Sequence, residues 1–251
     1  MSTEVLVTGA SGTLGRQVVT AALAAGQSVR ALSRRAHADD RVRWYAGDLL
    51  KATGVGPAVT GADVIVHCAT QFAGDKDLRS TANLLAAARR AGVTNVVYIS
   101  IVGVDQIPLG YYRTKLRVEQ ALAASGAGHT ILRATQFHEL IAAMFAVQRF
   151  APMLGALRGV SFQPIDAGDA ARRLVELAGA EPAGRVADIG GPEVRTHADL
   201  GRAYLSARGS RRPVIQVPLP GRIGAGYRRG AHLAPDNPIG VARFEDYLAR
   251  S

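Results

Sequence analysis

Two groups of residues in this 251-residue chain have types and spacings that could do chemistry. The first is Gly9-Ala10-Ser11-Gly12-Thr13-Leu14-Gly15, a set of glycines three apart that follows the β-branched run Thr3-Glu4-Val5-Leu6-Val7-Thr8. The second is Tyr111 and Lys115, four residues apart in Tyr111-Tyr112-Arg113-Thr114-Lys115. In the first group, Gly9 permits a tight turn, Gly12 lets backbone approach a pyrophosphate, and Gly15 lets a helix pack closely on a strand. The helix that follows, apolar from Val18 to Ala25, offers free N–H groups and a positive dipole end to phosphate at Ser11, Thr13 and Leu14. The spacing therefore predicts a dinucleotide-binding turn. In the second group, residues four apart share a helical face. A lysine ammonium beside a phenol favours phenolate, so the tyrosine could pass a proton to a carbonyl oxygen as hydride arrives. Lys115 could also hydrogen-bond the nicotinamide ribose.

The second strand, Ser28-Val29-Arg30-Ala31-Leu32, refines the dinucleotide. A site selecting an unphosphorylated ribose would carry Asp or Glu at its end, whereas this chain has Ser33-Arg34-Arg35. Two planar guanidiniums and a hydroxyl suit a 2′-phosphate, so NADP (NADPH) is expected over NAD.

These groups must be held by alternating strands and helices. Arg43 to Asp48 reads as a third strand leading into Asp48-Leu49, and Asp63 to Ala69 as a fourth, apolar one. The carboxyl end of the fourth, Cys68-Ala69-Thr70, is expected to face the cofactor, because open parallel sheets bind ligands there. Within it His67 reads as packed, and Cys68 as buried and inert. Asp77 to Ala91 is helical by its apolar spacing, and Asn95 to Ser100 is the fifth strand. After a loop, Tyr111 and Lys115 open the next helix, followed by the strand His129 to Arg133 and then Gln136-Phe137-His138-Glu139. The alternation predicts an α/β, Rossmann-type doubly wound parallel sheet with a small C-terminal substrate lobe, contributed by about 135–165 and 190–251 of a single domain.

The glycine spacing within Val7-Thr8-Gly9-Ala10-Ser11-Gly12 resembles that of extended and atypical short-chain dehydrogenase/reductases, especially the NmrA-like NAD(P)-binding group. The helix Thr81 to Val93 and the Tyr-x-x-x-Lys pair after the fifth strand are similar to the same elements there, and the likeness runs from about Thr3 to Phe137. It implies that Asp48 and Leu49 lie beside the adenine, that Tyr111 and Lys115 are a catalytic pair with Ser100, and that Gln136, Phe137 and His138 lie at the cofactor end or substrate pocket. Two positions depart from the pattern: Ile101 stands where many relatives carry a second serine, and Asp77 where many carry an asparagine.

The rest of the chain predicts the lobe. Leu140 to Phe150 reads as an apolar helix, a candidate lid. Val160 to Ile165 is strand-like, and Asp166 to Leu177 is a helix with Asp169 as its cap. Arg185 to Pro192 reads as strand and turn, Thr196 to Ala207 as a helix capped by Thr196, Pro213 to Pro238 as a loop, and Arg243 to Arg250 as a short helix.

Composition excludes several classes. The single cysteine rules out a disulfide framework and suits the cytoplasm. No apolar run approaches membrane-spanning length. The net charge of +10 comes from scattered arginines, with Lys51, Lys76 and Lys115 the three lysines among 30 basic residues and aromatics at 6%. That pattern argues against a nucleic-acid surface. His138-Glu139 lacks a second histidine at ligand spacing, so no metal is expected. Two functions compete: an NADPH-dependent oxidoreductase reducing a small-molecule carbonyl or quinone, as monomer or homodimer, and an NADP-binding redox sensor without turnover. An epimerase holding NAD fits Arg34-Arg35 less well.

Overall fold

The computed structural model describes residues 3–35, 37, 39–71 and 74–251. The first half alternates as the apolar runs require. Strand β1 (Glu4–Thr8) leads to helix α1 (Thr13–Ala24), β2 (Ser28–Ser33), β3 (Val42–Ala46), α2 (Val55–Val59), β4 (Val64–His67), α3 (Lys76–Ala91), β5 (Asn95–Ile101), α4 (Gly110–Ala124) and β6 (His129–Ala134). The remainder is α5 (His138–Ala146), β7 (Leu154–Leu157), β8 (Ser161–Phe162), α6 (Ala167–Ala178), β9 (Gly184–Arg185), β10 (Arg195–Thr196), α7 (His197–Ala207), β11 (Val214–Val217), α8 (Gly221–Arg228) and α9 (Phe244–Arg250).

Seven strands form the central sheet in the order β3-β2-β1-β4-β5-β6-β9, with parallel pairing from β3 through β1 and β4 to β5 and again between β6 and β9. The order turns around at β1, whose neighbours β2 and β4 leave on opposite sides, and a doubly wound sheet offers its ligand crevice at such a point. Continuous apolar strands such as Val64–His67 are buried along their whole length, as strands covered on both faces must be. On α1 the buried positions Leu14, Gly15, Val18, Val19 and Ala22 repeat at helical spacing and face the sheet.

The chain forms two compact units. The first comprises Met1–Ser100, Arg113–Leu132 and Ala170–Val186; the second comprises Ile101–Tyr112, Arg133–Asp169 and Ala187–Ser251. The first is built on Leu6, Ile65, Leu84, Val96, Tyr98, Val118 and Leu122. The second has its own core of Ile141, Phe145, Leu154, Phe162, Leu200, Tyr204, Phe244 and Leu248. Each large apolar side chain so enclosed contributes about 1.5–3 kcal/mol.

Several boundaries differ from the sequence-based expectation. β3 stops at Ala46 and β4 at His67, so Gly47-Asp48 and Cys68-Ala69-Thr70 are loop beyond the strand ends. Helix α5 ends at Ala146, short of Phe150. The stretch 213–238 is not all loop, since it contains β11 and α8. Asp169 stands inside the first turn of α6 rather than ahead of it. Asp166 Oδ1 accepts the Gly168 amide at 2.8 Å, while Asp169 Oδ2 accepts from Val241 N at 2.7 Å.

Candidate functional site

The glycine turn is built from backbone contacts that leave no room for side chains. Gly9 has φ +67°, and a Cβ on it would lie 2.8 Å from Ala69 Cα and N. A Cβ on Gly15 would lie 2.1 Å from Gly9 O, so α1 can seat against the turn only with glycine there. Gly12 is different: its N donates to Gly9 O at 2.9 Å, and its own Cβ would meet only that oxygen, at 3.2 Å. Ser11, Gly12 and Thr13 are exposed and Leu14 is buried. No side chain caps α1 at Gly12, and its first turn carries no acid. The result is an open, uncapped helix N-terminus lined by backbone, which fits a pyrophosphate.

At the carboxyl end of β2, Ser33 Oγ accepts the Arg35 amide at 3.2 Å and donates to the Arg35 carbonyl. This closes a small turn that leaves Arg34 and Arg35 exposed. Asp48 Oδ1 accepts from Leu50 N at 2.8 Å, and buried Leu49 is anchored by Asn83 Nδ2, which donates to its carbonyl at 2.8 Å.

Beyond β4, Cys68, Ala69 and Thr70 are half-buried. Cys68 is thus more open than the fully buried residue expected, although burial of the thiol itself pushes it up to about 12 and keeps it protonated. His67 is packed. Thr81 Oγ1 donates to Asp77 O at 2.9 Å, so it must accept from His67 Nε2 at 3.0 Å, and Nδ1 then accepts from Thr8 Oγ1 at 2.7 Å. Burial pushes this neutral ring down to about 3. Asp77, 5% exposed, takes Thr70 Oγ1 at 2.7 Å and Gln71 N at 2.5 Å on its two carboxylate oxygens.

Lys115, 4% exposed, donates from Nζ to Ile99 O at 3.0 Å and sits 4.6 Å from the centre of the Tyr98 ring. Burial pushes its ammonium down to about 8, against the opposing pull of Asp77, Cys68 and Glu119. Tyr111 stands one turn earlier on α4 and is half-buried. Ser100 is 2% exposed, and its Oγ has no hydrogen-bond partner among the described residues.

In the second unit, Gln136 is buried and its Nε2 donates to Tyr112 Oη at 3.4 Å, while Tyr227 Oη lies 3.2 Å from the same atom. Gln136 Oε1 has no partner among the described residues. Sequence reasoning missed Tyr112 and Tyr227. Of two adjacent tyrosines the lysine spacing selects Tyr111, and nothing local announces a partner 115 residues away. Phe137 is the N-cap residue of α5 and bridges to Ile165. His138 Nε2 donates to Ala242 O at 3.1 Å, and its ring stacks on Tyr247. Among the described residues no group of three or more His, Cys, Asp or Glu is placed to hold a metal, and no helix is long and apolar enough to cross a membrane.

Comparison with known proteins identifies a family and a fold. A family model described as NAD(P)H-binding matches residues 9–143. The photosystem II assembly factor Ycf39 of Cyanophora paradoxa is 33% identical over 158 residues, 57% of this chain and 49% of that protein. The chloroplastic divinyl chlorophyllide a 8-vinyl-reductase of Zea mays is 28% identical over 249 residues, 86% of this chain and 62% of that protein. The chain spans about half the length of the Ycf39 proteins it matches. Among solved structures, the NADPH complex of the quinone oxidoreductase QOR2 from Escherichia coli superposes with TM-score 0.82 at 18% identity, covering 98% of this chain and 99% of that one. A nucleoside-diphosphate-sugar epimerase from Staphylococcus aureus gives TM-score 0.82 at 17% identity, covering 99% and 100%. Both share the fold.

Proposed function

We propose, from the premise that this chain belongs to the NAD(P)H-binding family, that it is an NADPH-dependent reductase of a carbonyl or quinone. In this reading Tyr111 is the proton donor and Lys115 its support. The observation that carries it is the buried Lys115 ammonium, one helical turn from Tyr111 and tied to the end of β5 through Ile99 O. The glycine turn receives the pyrophosphate on the bare N-terminus of α1, and Arg34 and Arg35, exposed at the end of β2, hold a 2′-phosphate. The nicotinamide cofactor, when bound, supplies the hydride. Tyr111 passes its hydroxyl proton to the substrate oxygen, and the Lys115 charge favours the phenolate left behind. Ser100 brings a hydroxyl with hydrogen-bonding capacity to spare. The quinone oxidoreductase and vinyl-reductase named among the relatives support reduction as the reaction class.

A second reading is a cofactor-binding sensor or partner-binding protein. It is favoured by Asp77, whose carboxylate is already taken by Thr70 and Gln71, and by the apolar Ile101. The photosystem II assembly factors are named for assembly, which supports the same reading. The deciding experiment is NADPH and NADH oxidation with a panel of quinones and ketones, run beside Tyr111→Phe. Turnover that prefers NADPH and falls at least about a hundredfold in the variant supports the acid role. Turnover unchanged by the variant removes Tyr111 from the reaction. NADPH binding with no turnover on the panel favours the sensor.

A further inference from the structure

The second unit holds a polar cluster that the reaction leaves unused. Tyr112, in the first turn of α4, is 5% exposed, and so is Gln136, between β6 and α5. Gln136 Nε2 donates to Tyr112 Oη at 3.4 Å, and Tyr227 Oη donates to the same oxygen at 3.2 Å. The surroundings hold all three in place. Ile165 N donates to the Gln136 carbonyl at 3.0 Å, and the Tyr227 ring packs edge-on against His232 with centres 4.6 Å apart. A Cβ on Gly226 would lie 2.9 Å from Ile107 Cγ1, so α8 is seated tightly on the loop ahead of α4. The amide and the two phenols carry four donor protons, and the two hydrogen bonds use two of them. That arrangement also strands Gln136 Oε1. Turning the amide over lets Tyr112 donate to this oxygen, but both amide protons are then unmet. In either arrangement two protons find no acceptor among the described residues, and at least one of them is on the buried amide.

A ligand atom that only accepts meets this surplus, whereas an alcohol or an amine brings further protons. A carboxylate accepts too, but it sets a full charge among three neutral groups, which burial disfavours. A carbonyl oxygen is the match. Burial raises the Tyr112 phenol above its ordinary value, so it keeps its proton and serves as a hydrogen-bond donor. Adjacent residues of a helix do not face one another, so Tyr111 and Tyr112 serve different oxygens. We propose that Tyr112, Gln136 and Tyr227 bind a second carbonyl oxygen of the substrate, and that the preferred substrate is therefore a dione of the quinone type. This rests on the reading that the chain is a reductase with Tyr111 as its proton donor. Tyr112 transfers no proton. It and the Gln136 amide donate hydrogen bonds that draw electron density out of the conjugated ring and make it a better hydride acceptor.

The test uses duroquinone, a fully methylated benzoquinone that does not alkylate protein, and acetophenone, which has a single carbonyl. NADPH oxidation is followed with each on the wild type and on Tyr112→Phe. The carbonyl stretch of bound duroquinone is recorded in parallel by infrared difference spectroscopy on the NADP-loaded protein. Tyr112→Phe is expected to lower kcat/KM for duroquinone by about tenfold, chiefly through KM, and for acetophenone by less. The carbonyl band, lowered in the wild type by the hydrogen bond, is expected to move up in the variant. Equal losses on both substrates, or a band that stays in place, overturn the proposal, since lost packing alone would do the same. Should Tyr112→Phe fail to fold, Tyr227→Phe removes a donor from the half-buried side of the cluster. It is expected to move both readouts the same way by a smaller amount, and no movement overturns the proposal. If the wild type binds NADPH but turns over neither compound, the reductase reading fails and the infrared band alone judges the site. A band that differs between wild type and variant keeps the site; an identical band, or no bound quinone, removes it.

Discussion

At the scale of single residues, glycines that look alike in sequence have different jobs in the structure. Gly15→Ala forces a methyl group into the Gly9 carbonyl, so it is expected to lower stability by about 1–3 kcal/mol and to lose NADPH binding with it. Gly12→Ala meets only the Gly9 oxygen, at 3.2 Å, and its new methyl points at an exposed turn. It is expected to keep the melting temperature within a few degrees while weakening NADPH binding. Melting curves and NADPH titrations on both variants check this, and equal losses of stability would refute the distinction. Glycine spacing was readable because strand, turn and helix are contiguous. Asp77 was readable only as a departure from a pattern, because its partners Thr70 and Gln71 carry no periodic signal. Tyr112 was hidden for the same reason, its phenol meeting Tyr227 from a distant helix.

At the scale of elements, legibility followed length. Strands β1, β2, β4 and β5 are apolar runs of four to seven residues and declare themselves. Strands β8, β9 and β10 are two residues each, too short to show a period of two. Helix α8 lies in a stretch whose Gly, Pro and Arg content reads as loop. Caps divide similarly. Thr196 does what its spacing to Asp199 predicts, accepting the Asp199 amide at 3.1 Å at the start of α7. Thr196→Ala is expected to cost about 1 kcal/mol, read as a lower urea midpoint at unchanged m. Asp169 was expected to do the same for α6, but tertiary structure claimed it: its carboxylate takes the Val241 and Ala242 amides just ahead of α9. No window of sequence contains both ends of that contact.

At the scale of the whole molecule, the buried histidines make stability depend on pH on the acid side. Burial pushes His67 down to about 3, His197 and His232 to about 4, and His138 below its usual value. The unfolded chain binds protons at these sites near pH 6.5 and the folded one does not, so the unfolded state holds more protons below that pH. The histidine contribution to stability is therefore complete above about pH 6.5 and is lost as pH falls towards 4. Urea titrations from pH 7.5 to 4.5 are expected to show this decline. His232→Gln is expected to reduce its slope by about 1.4 kcal/mol per pH unit between pH 6 and 4.5. An unchanged slope would mean that His232 protonates in the folded state.

The path of the chain carries a consequence for anyone who would re-engineer it. The first unit takes three separate segments and so does the second, so the backbone passes from one to the other at residues 100/101, 112/113, 132/133, 169/170 and 186/187. The stretch matched by the family model, 9–143, coincides with neither unit and omits two strands of the main sheet, β1 between β2 and β4 and β9 at the edge. A gene fragment trimmed to that match would lack β1, β9 and the whole of α6, and a chimaera made at a single crossover would mix both cores. Exchanging the second unit for that of a relative calls for three coordinated grafts, with the junctions at those five peptide bonds.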